Sequence, residues 1–334
     1  MHEPTRADVL EHVRCVLCGS DDADLVYEAQ YHLETDADLV EKFRASGDEL
    51  LIDQVVRCRS CSLQYINPRL RGDLIVSGYT DGEDPTYVSQ LDARERTFAG
   101  SLGAIERALG GKGRLLDIGT AAGAFVAAAR KAGWDATGCE PNKWLAEFGS
   151  RHYGIHIRQG SVFDHDYEPG SFDVVTLWDV IEHTPDPVAV VEHCRTLLKP
   201  GGLLVINYPD VGSWIARALR RKWLFLISVH LFYFDRRTMS RLLGEHGFDV
   251  VLMRPHWQRL ELDYVLQRGA SLAPRLSSAA RRLVSWLGAS RLHVPYWLGQ
   301  TLAIGRAVKL LVPVLLSDFS LIPVAEASWL STLS

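Results

Sequence analysis

The stretch that decides the fold is Leu115-Leu116-Asp117-Ile118-Gly119-Thr120-Ala121-Ala122-Gly123-Ala124-Phe125. Two apolar residues lead into an acidic one, and glycines follow at positions 119 and 123. This pattern predicts a buried strand, a tight loop and the start of a helix. Because glycine has no Cβ, we expect the loop to let a nucleotide-like ligand approach the backbone. The free N–H groups of the helix should point into the same space.

Strands and helices alternate around that stretch, from residue 113 to about residue 254. The expected strands are 114–118, 136–140, 156–159, 172–178, 203–207 and 248–253, with a last strand over 319–325. The expected helices are 125–132, 143–153, 187–198 and 237–246. Such alternation predicts an α/β fold with a doubly wound, mostly parallel, seven-stranded sheet. Ligands of such sheets lie outside the carboxyl ends of the strands.

Acidic residues end four consecutive strands, at Asp117, Glu140, Asp164 and Asp179. Glu140 follows the glycine loop by about 20 residues, where a carboxylate can accept the hydroxyls of a ribose. The apolar pair before Asp164, residues 162–163, could stack on a base. A single acid at a strand end is usually a loop cap, but four in succession favour one shared ligand.

The glycine loop alone could also hold a dinucleotide. That interpretation expects a G-x-G-x-x-G pattern and a helix N-terminus directed at a pyrophosphate. Here Asp117 would repel a pyrophosphate and attract an ammonium group, and Ala121 stands where the middle glycine is expected. A cationic amino acid joined to a nucleoside fits better than NAD, and S-adenosylmethionine is that molecule.

Residues 113–254 resemble the class I S-adenosylmethionine-dependent methyltransferases, which have a Rossmann-like fold. The matching segments are Leu115 to Gly123, Glu140-Pro141, Gly160 to Asp164, Leu177 to His183 and Leu198 to Gly202. The resemblance implies that the loop holds the methionine part, Glu140 the ribose and residues 162–164 the adenine. The residues expected to contact the cofactor are Asp117, Gly119, Thr120, Ala121, Gly123, Phe125, Glu140, Pro141, Val162, Phe163, Asp164, Asp179 and Tyr87. Ala121 departs from the family pattern, in which many members have glycine.

The pair Glu182-His183 resembles that of ubiquinone-pathway O-methyltransferases. Methyl transfer from a sulfonium is an in-line displacement, so the protein mainly positions the nucleophile and excludes water. A hydroxyl or carbon acid also loses a proton, for which His183 is the candidate general base, with Glu182 orienting it or binding substrate. His230 is a second candidate base. The plainer alternatives are a helix-entry residue for His183 and a core or rim histidine for His230.

Residues 1–70 carry two Cys-x-x-Cys pairs, Cys15 with Cys18 and Cys58 with Cys61. Four thiolates suit a tetrahedral structural Zn²⁺ and leave no open position for catalysis. Two disulfides or unrelated thiols are the alternatives. We expect a hairpin of 55–57 with 63–65 and a helix over 37–45. The module resembles that of zinc-bearing sugar C-methyltransferases.

The remaining segments are less informative. Residues 71–112 are expected to form a helical connector with a helix over 88–109, in which Tyr87 and Tyr79 are packing residues or part of a lid. Three interpretations stay open for the aromatic and basic stretch 208–233: a wall of the acceptor pocket, a membrane-surface patch and a nucleic-acid contact. Residues 255–334 form a C-terminal extension, with an amphipathic helix over 272–287.

Composition limits the classes of partner. The chain has 334 residues, 47% of them hydrophobic, and a formal net charge of -5, which argues mildly against a general nucleic-acid binder. The N-terminus has no secretory pattern, and no run of about 20 apolar residues occurs. We therefore expect a cytoplasmic location, with peripheral membrane contact through 214–234 or 297–316 as an open alternative.

Together these features predict a methyltransferase acting on a hydroxyl or carbon of a small molecule or a sugar or glycan. Two other classes stay open. One is an RNA methyltransferase that uses the zinc module to grip RNA. The other is a non-catalytic protein that binds S-adenosylmethionine. The oligomeric state and the methylated atom are left open by the sequence.

Overall fold

The protein is described by a computed structural model that covers residues 9–30, 53–80, 82–271 and 273–308. The helix expected over 37–45 and the strand expected over 319–325 lie outside these residues. The N-terminal strands are β1 (Leu10–Glu11), β2 (Ala23–Tyr27), β3 (Val55–Cys58), β4 (Gln64–Ile66) and β5 (Arg69–Leu70). Strands β2, β3 and β4 are antiparallel neighbours, and Arg57 pairs with Gln64, which confirms the expected hairpin.

Three helices follow this module. They are α1 (Gly72–Thr80), α2 (Pro85–Ser89) and α3 (Leu91–Leu109). The sequence predicts one helix over 88–109, and its start is wrong. Gln90 interrupts the helical backbone, so that α2 ends before it and α3 begins after it. Helix α2 has its own N-cap, in which the side chain of Asp84 accepts a hydrogen bond from the N–H of Tyr87. This separate turn fixes the position of Tyr87.

The central elements alternate as expected. They are β6 (Arg114–Ile118), α4 (Ala124–Lys131), β7 (Asp135–Glu140), α5 (Lys143–Tyr153), β8 (Ile157–Gln159), β9 (Phe172–Trp178), α6 (Pro187–Leu197) and β10 (Leu198–Pro209). The later elements are α7 (Trp214–Leu219), β11 (Phe232–Tyr233), α8 (Arg236–Glu245), β12 (Phe248–Pro255), β13 (Gln258–Glu261), α9 (Leu262–Arg268), α10 (Pro274–Trp286), β14 (His293–Tyr296) and β15 (Gln300–Ala307).

The main sheet has seven strands in the order β12-β15-β10-β9-β6-β7-β8. Strands β10, β9, β6, β7 and β8 are parallel neighbours, whereas β15 runs antiparallel to both β10 and β12. The predicted doubly wound, mostly parallel sheet is therefore confirmed. The chain moves outward in one direction from β6 and in the other from β9, so a crevice opens between these two strands at their carboxyl ends.

The seventh strand lies earlier in the chain than expected. It is β15, and Ile304 within it pairs with Val205 on one side and Leu252 on the other. The strand was missed because it begins with the polar residues Gln300 and Thr301, which are buried. Since β15 is an interior strand, the idea that 297–316 lies on a membrane is wrong for its part within 300–307.

Each face of the sheet carries its own hydrophobic core. Leu115 packs on the face covered by α3 and α4, and Leu116 packs on the opposite face. The core around Leu116 also contains Cys15 and Leu63, so the N-terminal module and the sheet share one apolar interior. Strand β11 also joins these two parts of the chain, because Phe232 pairs with Tyr65 of β4. Within the described ranges, none of the helices has the length and apolar character needed to cross a bilayer.

The interior position of β15 can be tested by stability. Ile304 is fully buried, so Ile304→Ala should lower the free energy of unfolding by about 2–5 kcal/mol, through lost burial and a cavity. Urea denaturation followed by circular dichroism measures the change. Val251→Ala is the matched control, since Val251 is 44% exposed, and a change within about 0.5 kcal/mol is expected. Equal effects of the two substitutions would contradict the placement of β15.

Candidate active site

The loop between β6 and α4 has a left-handed backbone at both glycines, with φ of +65° at Gly119 and +77° at Gly123. A Cβ at Gly119 would lie 2.7 Å from a methyl group of Val180, and a Cβ at Gly123 would lie 2.8 Å from one of Ile157. That these glycines also let a ligand approach the backbone stays a prediction. They are required because the loop packs against neighbouring strand ends.

Ala121 is left-handed without being glycine, with φ of 48°. Its N–H donates to Oε2 of Glu140 at 2.7 Å, and the N–H of Asn142 donates to Oε1 at 2.8 Å. Glu140 is fully buried, so its carboxylate fastens the loop to the end of β7. Each carboxylate oxygen has two acceptor positions, and these two N–H groups together with the hydroxyl of Tyr79 leave one position for a hydroxyl of a ribose.

Asp117 lies beside this loop with only 1% of its surface exposed. The hydroxyl of Thr176 donates to its Oδ1 at 2.5 Å. Burial raises the pKa of Asp117 to about 7, against the effect of the Thr176 hydrogen bond. Burial likewise raises the pKa of Glu140 to about 7, opposed by the N–H groups of Asn142 and Ala121. A cation or hydroxyl donors between these two carboxyl groups would relieve the cost of their ionisation.

Asp179 ends β9 in a left-handed conformation with φ of 53°. Its Oδ1 accepts a hydrogen bond from Nδ2 of Asn207 at 2.6 Å. Burial raises the pKa of Asp179 to about 6, and the nearby cations Arg94 and Arg268 oppose that rise. The site thus combines a third, half-buried carboxyl group with two arginines from outside the sheet.

Tyr87 faces the same carboxyl groups from α2. The guanidinium carbon of Arg94 lies 4.1 Å from the centre of its ring. Burial raises the pKa of Tyr87 to about 12, which Arg94 opposes and the carboxylates of Asp117, Glu140 and Asp179 reinforce. The structure therefore brings Tyr87 together with the strand-end acids, as a lid would require.

The remaining predicted cofactor residues occupy different positions. Phe125 is 1% exposed, and its ring centre is 4.9 Å from that of Trp178, so it supports the loop from within the core. Thr120 is buried in the loop, and Pro141 is half-buried beside Glu140.

The segment expected to hold adenine is a short helical turn over Val162–Asp164. Val162 is 2% exposed and belongs to the core, so the expectation that it stacks on a base is corrected. Phe163 is 54% exposed and presents an open ring. Oδ2 of Asp164 accepts hydrogen bonds from the N–H and the hydroxyl of Ser161, both at 2.7 Å, which cap the turn and lower the pKa of Asp164.

The predicted catalytic residues meet beside Asp179. Nδ1 of His183 lies 3.0 Å from the carbonyl oxygen of Val229, and Nδ1 of His230 lies 2.8 Å from that of Phe225. Carbonyl oxygens only accept hydrogen bonds, so each Nδ1 carries the hydrogen and each Nε2 keeps a lone pair. The two ring centres are 4.6 Å apart.

Glu182 completes this cluster and is 1% exposed. Neither of its carboxylate oxygens has a hydrogen-bond partner among the described residues. One ligand atom from each of Glu182, His183 and His230 lies within 4.8 Å of the others. Burial and the neighbouring Asp179 raise the pKa of Glu182, and burial lowers the pKa of His183 to about 4. The cluster therefore offers acceptor atoms for a proton, or for a divalent cation.

Unsatisfied polar atoms gather around Asp179. Besides the Glu182 oxygens, they include Nε1 of Trp178, Oδ1 of Asn207 and Nε of Arg94, all buried without a partner among the described residues. Buried polar groups normally have hydrogen-bond partners, so such a concentration is the pattern expected of a ligand-binding position. Arg94, Arg268 and Asn207 were not foreseen from the sequence, because no local motif contains them.

Hydrogen bonds through the backbone of one residue, Leu231, connect the N-terminal module to this cluster. The N–H of Leu231 donates to the carbonyl oxygen of Glu182 at 2.8 Å, and the N–H of Ile66 donates to that of Leu231 at 2.9 Å. Leu231 follows His230 directly. The sheet of the cysteine module is thus hydrogen-bonded to the backbone beside both Glu182 and His230.

The four N-terminal thiols also converge. Sγ of Cys15 lies 3.3 Å from that of Cys61, and Sγ of Cys18 lies 3.5 Å from that of Cys58. A disulfide would require about 2.05 Å. Four sulfurs around one Zn²⁺ at about 2.3 Å would be about 3.8 Å apart. All four lie within 4.8 Å of one another, so the donor set fits a tetrahedral ion.

The stretch 208–233 is not one exposed basic and aromatic face. Trp223, Leu231 and Tyr233 are almost completely buried, whereas Trp214 is 69% exposed. Membrane contact through the whole of 214–234 is therefore contradicted by the burial of its centre and end. The segment ends in His230 and β11, beside Glu182 and His183, and its role as a wall of the acceptor pocket stays a prediction.

Comparison with known proteins agrees with this geometry. The profile of a family described as "Methyltransferase domain" matches residues 92–252. Ubiquinone biosynthesis O-methyltransferases from Methylococcus capsulatus and Xanthomonas campestris are 38% and 36% identical over 100 residues, or 28% of this chain. The chain spans 42% of the length of each of these relatives. A solved SAM-dependent methyltransferase from Archaeoglobus fulgidus superimposes with a TM-score of 0.47 at 15% identity, covering 67% of this chain and 100% of that one.

The raised pKa of Asp117 predicts a pH effect on stability. The folded form binds the proton more tightly than the unfolded form, so this group lowers the free energy of unfolding as pH rises from about 4 to about 7. Asp117→Asn removes the effect. The free energy of unfolding of the wild type should fall between pH 5 and pH 8, and that of the variant should fall by about 1–3 kcal/mol less.

Urea denaturation at both pH values measures this difference, and any pH-independent change caused by the substitution cancels. Asp166→Asn is the control, because Asp166 is exposed and should leave the pH dependence unchanged. Parallel pH profiles for Asp117→Asn and the wild type would refute the raised pKa.

Proposed function

From the premise that this chain carries a class I S-adenosylmethionine-dependent methyltransferase domain, we propose that it methylates a hydroxyl or carbon of a small molecule or a sugar or glycan. The observation that carries the proposal is the group of unsatisfied polar atoms around Asp179, beside the cluster of Glu182, His183 and His230. It lies at the edge of the sheet that also holds Asp117 and Glu140. Acceptor and cofactor can therefore meet there.

The residues present fit the cofactor. Asp117 would hold its ammonium group, Glu140 its ribose, and the open ring of Phe163 one face of its adenine. Both buried carboxyl groups have pKa values near 7, so hydrogen-bond donors and positive charge from a ligand would favour their ionised forms. The bound cofactor supplies a methyl group on a positively charged sulfur, which is a good leaving group.

The chain's own contribution is to position the acceptor and take its proton. The lone pair on Nε2 of His183 would accept the proton of an acceptor hydroxyl, so that its oxygen could take the methyl group that the bound cofactor supplies. The imidazolium would form with a carboxyl oxygen of Glu182 within 4.8 Å of a ring nitrogen. Val229 holds the ring through Nδ1 and so fixes the tautomer that can act as a base.

An oxygen acceptor is favoured over nitrogen, because a neutral amine needs no base whereas a hydroxyl does. The similar bacterial proteins are named ubiquinone biosynthesis O-methyltransferases, which supports the same class of atom. The net charge of -5 opposes the RNA alternative.

Zinc in the cysteine module is part of the proposal. A structural ion would fix the turns of both Cys-x-x-Cys pairs and hence β4, which holds Leu231. Since thiolates bind zinc only while reduced, the proposal includes a reducing, cytoplasmic location.

His183→Ala should keep cofactor binding and lose most turnover, by about 10²–10⁴-fold, because the proton acceptor is removed. Acceptors are supplied as a small-molecule cell extract, with S-adenosylmethionine labelled in its methyl group. Mass spectrometry identifies products that gain the label with the wild type and not with Asp117→Asn. Calorimetry measures cofactor affinity separately.

His246→Ala is the matched control for this experiment. His246 lies just beyond α8 and contacts Glu192, so its loss should leave the labelled product unchanged. Wild-type amounts of product from His183→Ala at saturating acceptor would remove His183 from the base role.

The zinc proposal is tested by metal content. Wild-type protein should contain about one zinc ion per chain, and Cys61→Ala should lose it, since three thiolates bind far more weakly. Inductively coupled plasma mass spectrometry gives the ratio. Cys194→Ala is the control, because Cys194 is a buried thiol outside the four-cysteine group and should not change the content. A metal-free wild type purified without chelator would refute the proposal.

A further inference from the structure

A second cleft opens at the same edge of the main sheet. It has a volume of about 640 Å³ and is lined by residues just beyond β10 and β12 and just before β15. Its aromatic and basic side chains are Trp214, Trp257, Trp297, Arg217, Arg236 and Arg237, which we call the tryptophan–arginine cleft. None of these residues takes part in the site around Asp179.

The three tryptophans form a row. The ring centre of Trp297 is 6.1 Å from that of Trp214 and 5.9 Å from that of Trp257. Trp297 is fixed by a hydrogen bond from Nε1 to the carbonyl oxygen of Gln300, whereas Trp214 and Trp257 are 69% and 60% exposed. Adjacent large aromatic side chains that remain this exposed are suited to stack on a flat ring of a ligand.

The charges of the cleft favour an anion. The guanidinium groups of Arg217 and Arg237 have no ion pair or side-chain hydrogen bond to the residues that the structure describes. The two acids of the lining are already engaged. Asp210 accepts from the N–H of Gly212 at 2.8 Å and lies 3.5 Å from Arg236, and Asp235 caps α8. Free guanidinium groups bind phosphate oxygens in a fixed, bidentate geometry.

The cleft lies within reach of the reacting centre. Asp179 follows β9, and the cleft is one to three strands away, over β10, β15 and β12. With strands about 4.8 Å apart, its centre is about 10–15 Å from Asp179. His256 lies between the two sites, since its ring is 5.5 Å from that of Trp178 and Trp257 is the next residue.

We propose that the tryptophan–arginine cleft binds the non-reacting end of the acceptor, and that this end is an organic phosphate or diphosphate carrying a flat ring. The inference rests on the proposed methyl transfer. The ring stacks against the tryptophan row, and the phosphate oxygens accept hydrogen bonds from Arg217 and Arg237. The acceptor is thus an extended anion that is methylated about 10–15 Å from its phosphate.

The test measures binding of uridine diphosphate, uridine and inorganic pyrophosphate to the full chain by calorimetry. Uridine diphosphate should bind at least about 10-fold more tightly than either part alone, because stacking and charge contribute together. The double variant Arg217→Gln with Arg237→Gln should weaken its binding by about 10–100-fold. Trp214→Ala should weaken it as well, and Arg282→Gln, an exposed arginine on α10, should not.

Binding of S-adenosylmethionine is measured on the same samples. A wild type that binds this cofactor but neither uridine diphosphate nor pyrophosphate overturns the present inference and leaves the proposed function standing. A wild type that does not bind the cofactor argues against the proposed function instead. Binding of uridine diphosphate that the arginine variant does not change would place it elsewhere and overturn the inference.

A lipid headgroup could also supply a phosphate. Flotation with vesicles of phosphatidylcholine and phosphatidylglycerol separates this source from a soluble ligand. The inference requires that the wild type remain unbound to vesicles while it binds uridine diphosphate. Flotation that depends on Trp214 and Arg217, without binding of the soluble phosphates, would instead identify a membrane-facing surface and overturn it.

Discussion

The site depends on three carboxyl groups at one edge of the sheet, of which Asp117 and Glu140 are buried and Asp179 is half-buried. Removing such groups from water is unfavourable, and the chain compensates with backbone N–H groups at Glu140, Thr176 at Asp117 and Asn207 at Asp179. The left-handed conformations of Ala121 and Asp179 follow from the same arrangement, at a cost of about 1–2 kcal/mol each. This local cost is consistent with a pocket preorganised for a cationic ligand with several hydroxyl groups.

The cysteine module belongs to this arrangement, although it lies far away in the sequence. Leu231 connects β4 to the carbonyl oxygen of Glu182, and His230 is its neighbour. A shift of the module would therefore move Glu182 and His230 together. This explains physically how an N-terminal cysteine module could support a methyltransferase domain without contributing a reactive group of its own.

Much of the fold could be predicted because its signals are local. Five parallel strands, the hairpin between the cysteine pairs and the acids at strand ends each leave a short pattern in the sequence. Strand β15 left none, since Gln300 and Thr301 are polar but buried. Arg94 lies on α3, which precedes β6 in the sequence, and Arg268 lies on α9, which follows β12. Both affect the pKa of Asp179 only because tertiary packing brings them near it. The sequence suggests that Val162 stacks on a base, because hydrophobicity alone does not show which side chains of a turn face the core.

Local charge also differs from what composition suggests. The chain is acidic overall, with a net charge of -5, yet Arg94 and Arg268 lie near Asp179, and Arg217 and Arg237 line the tryptophan–arginine cleft. Positive groups at two distances from Asp179 suit an acceptor with negative charge along its length better than a neutral, fully apolar one. A net charge of -5 would disfavour polyanions such as RNA more than a small anion. Selection of the acceptor by size and charge would then follow from where the arginines stand, not from how many the chain has.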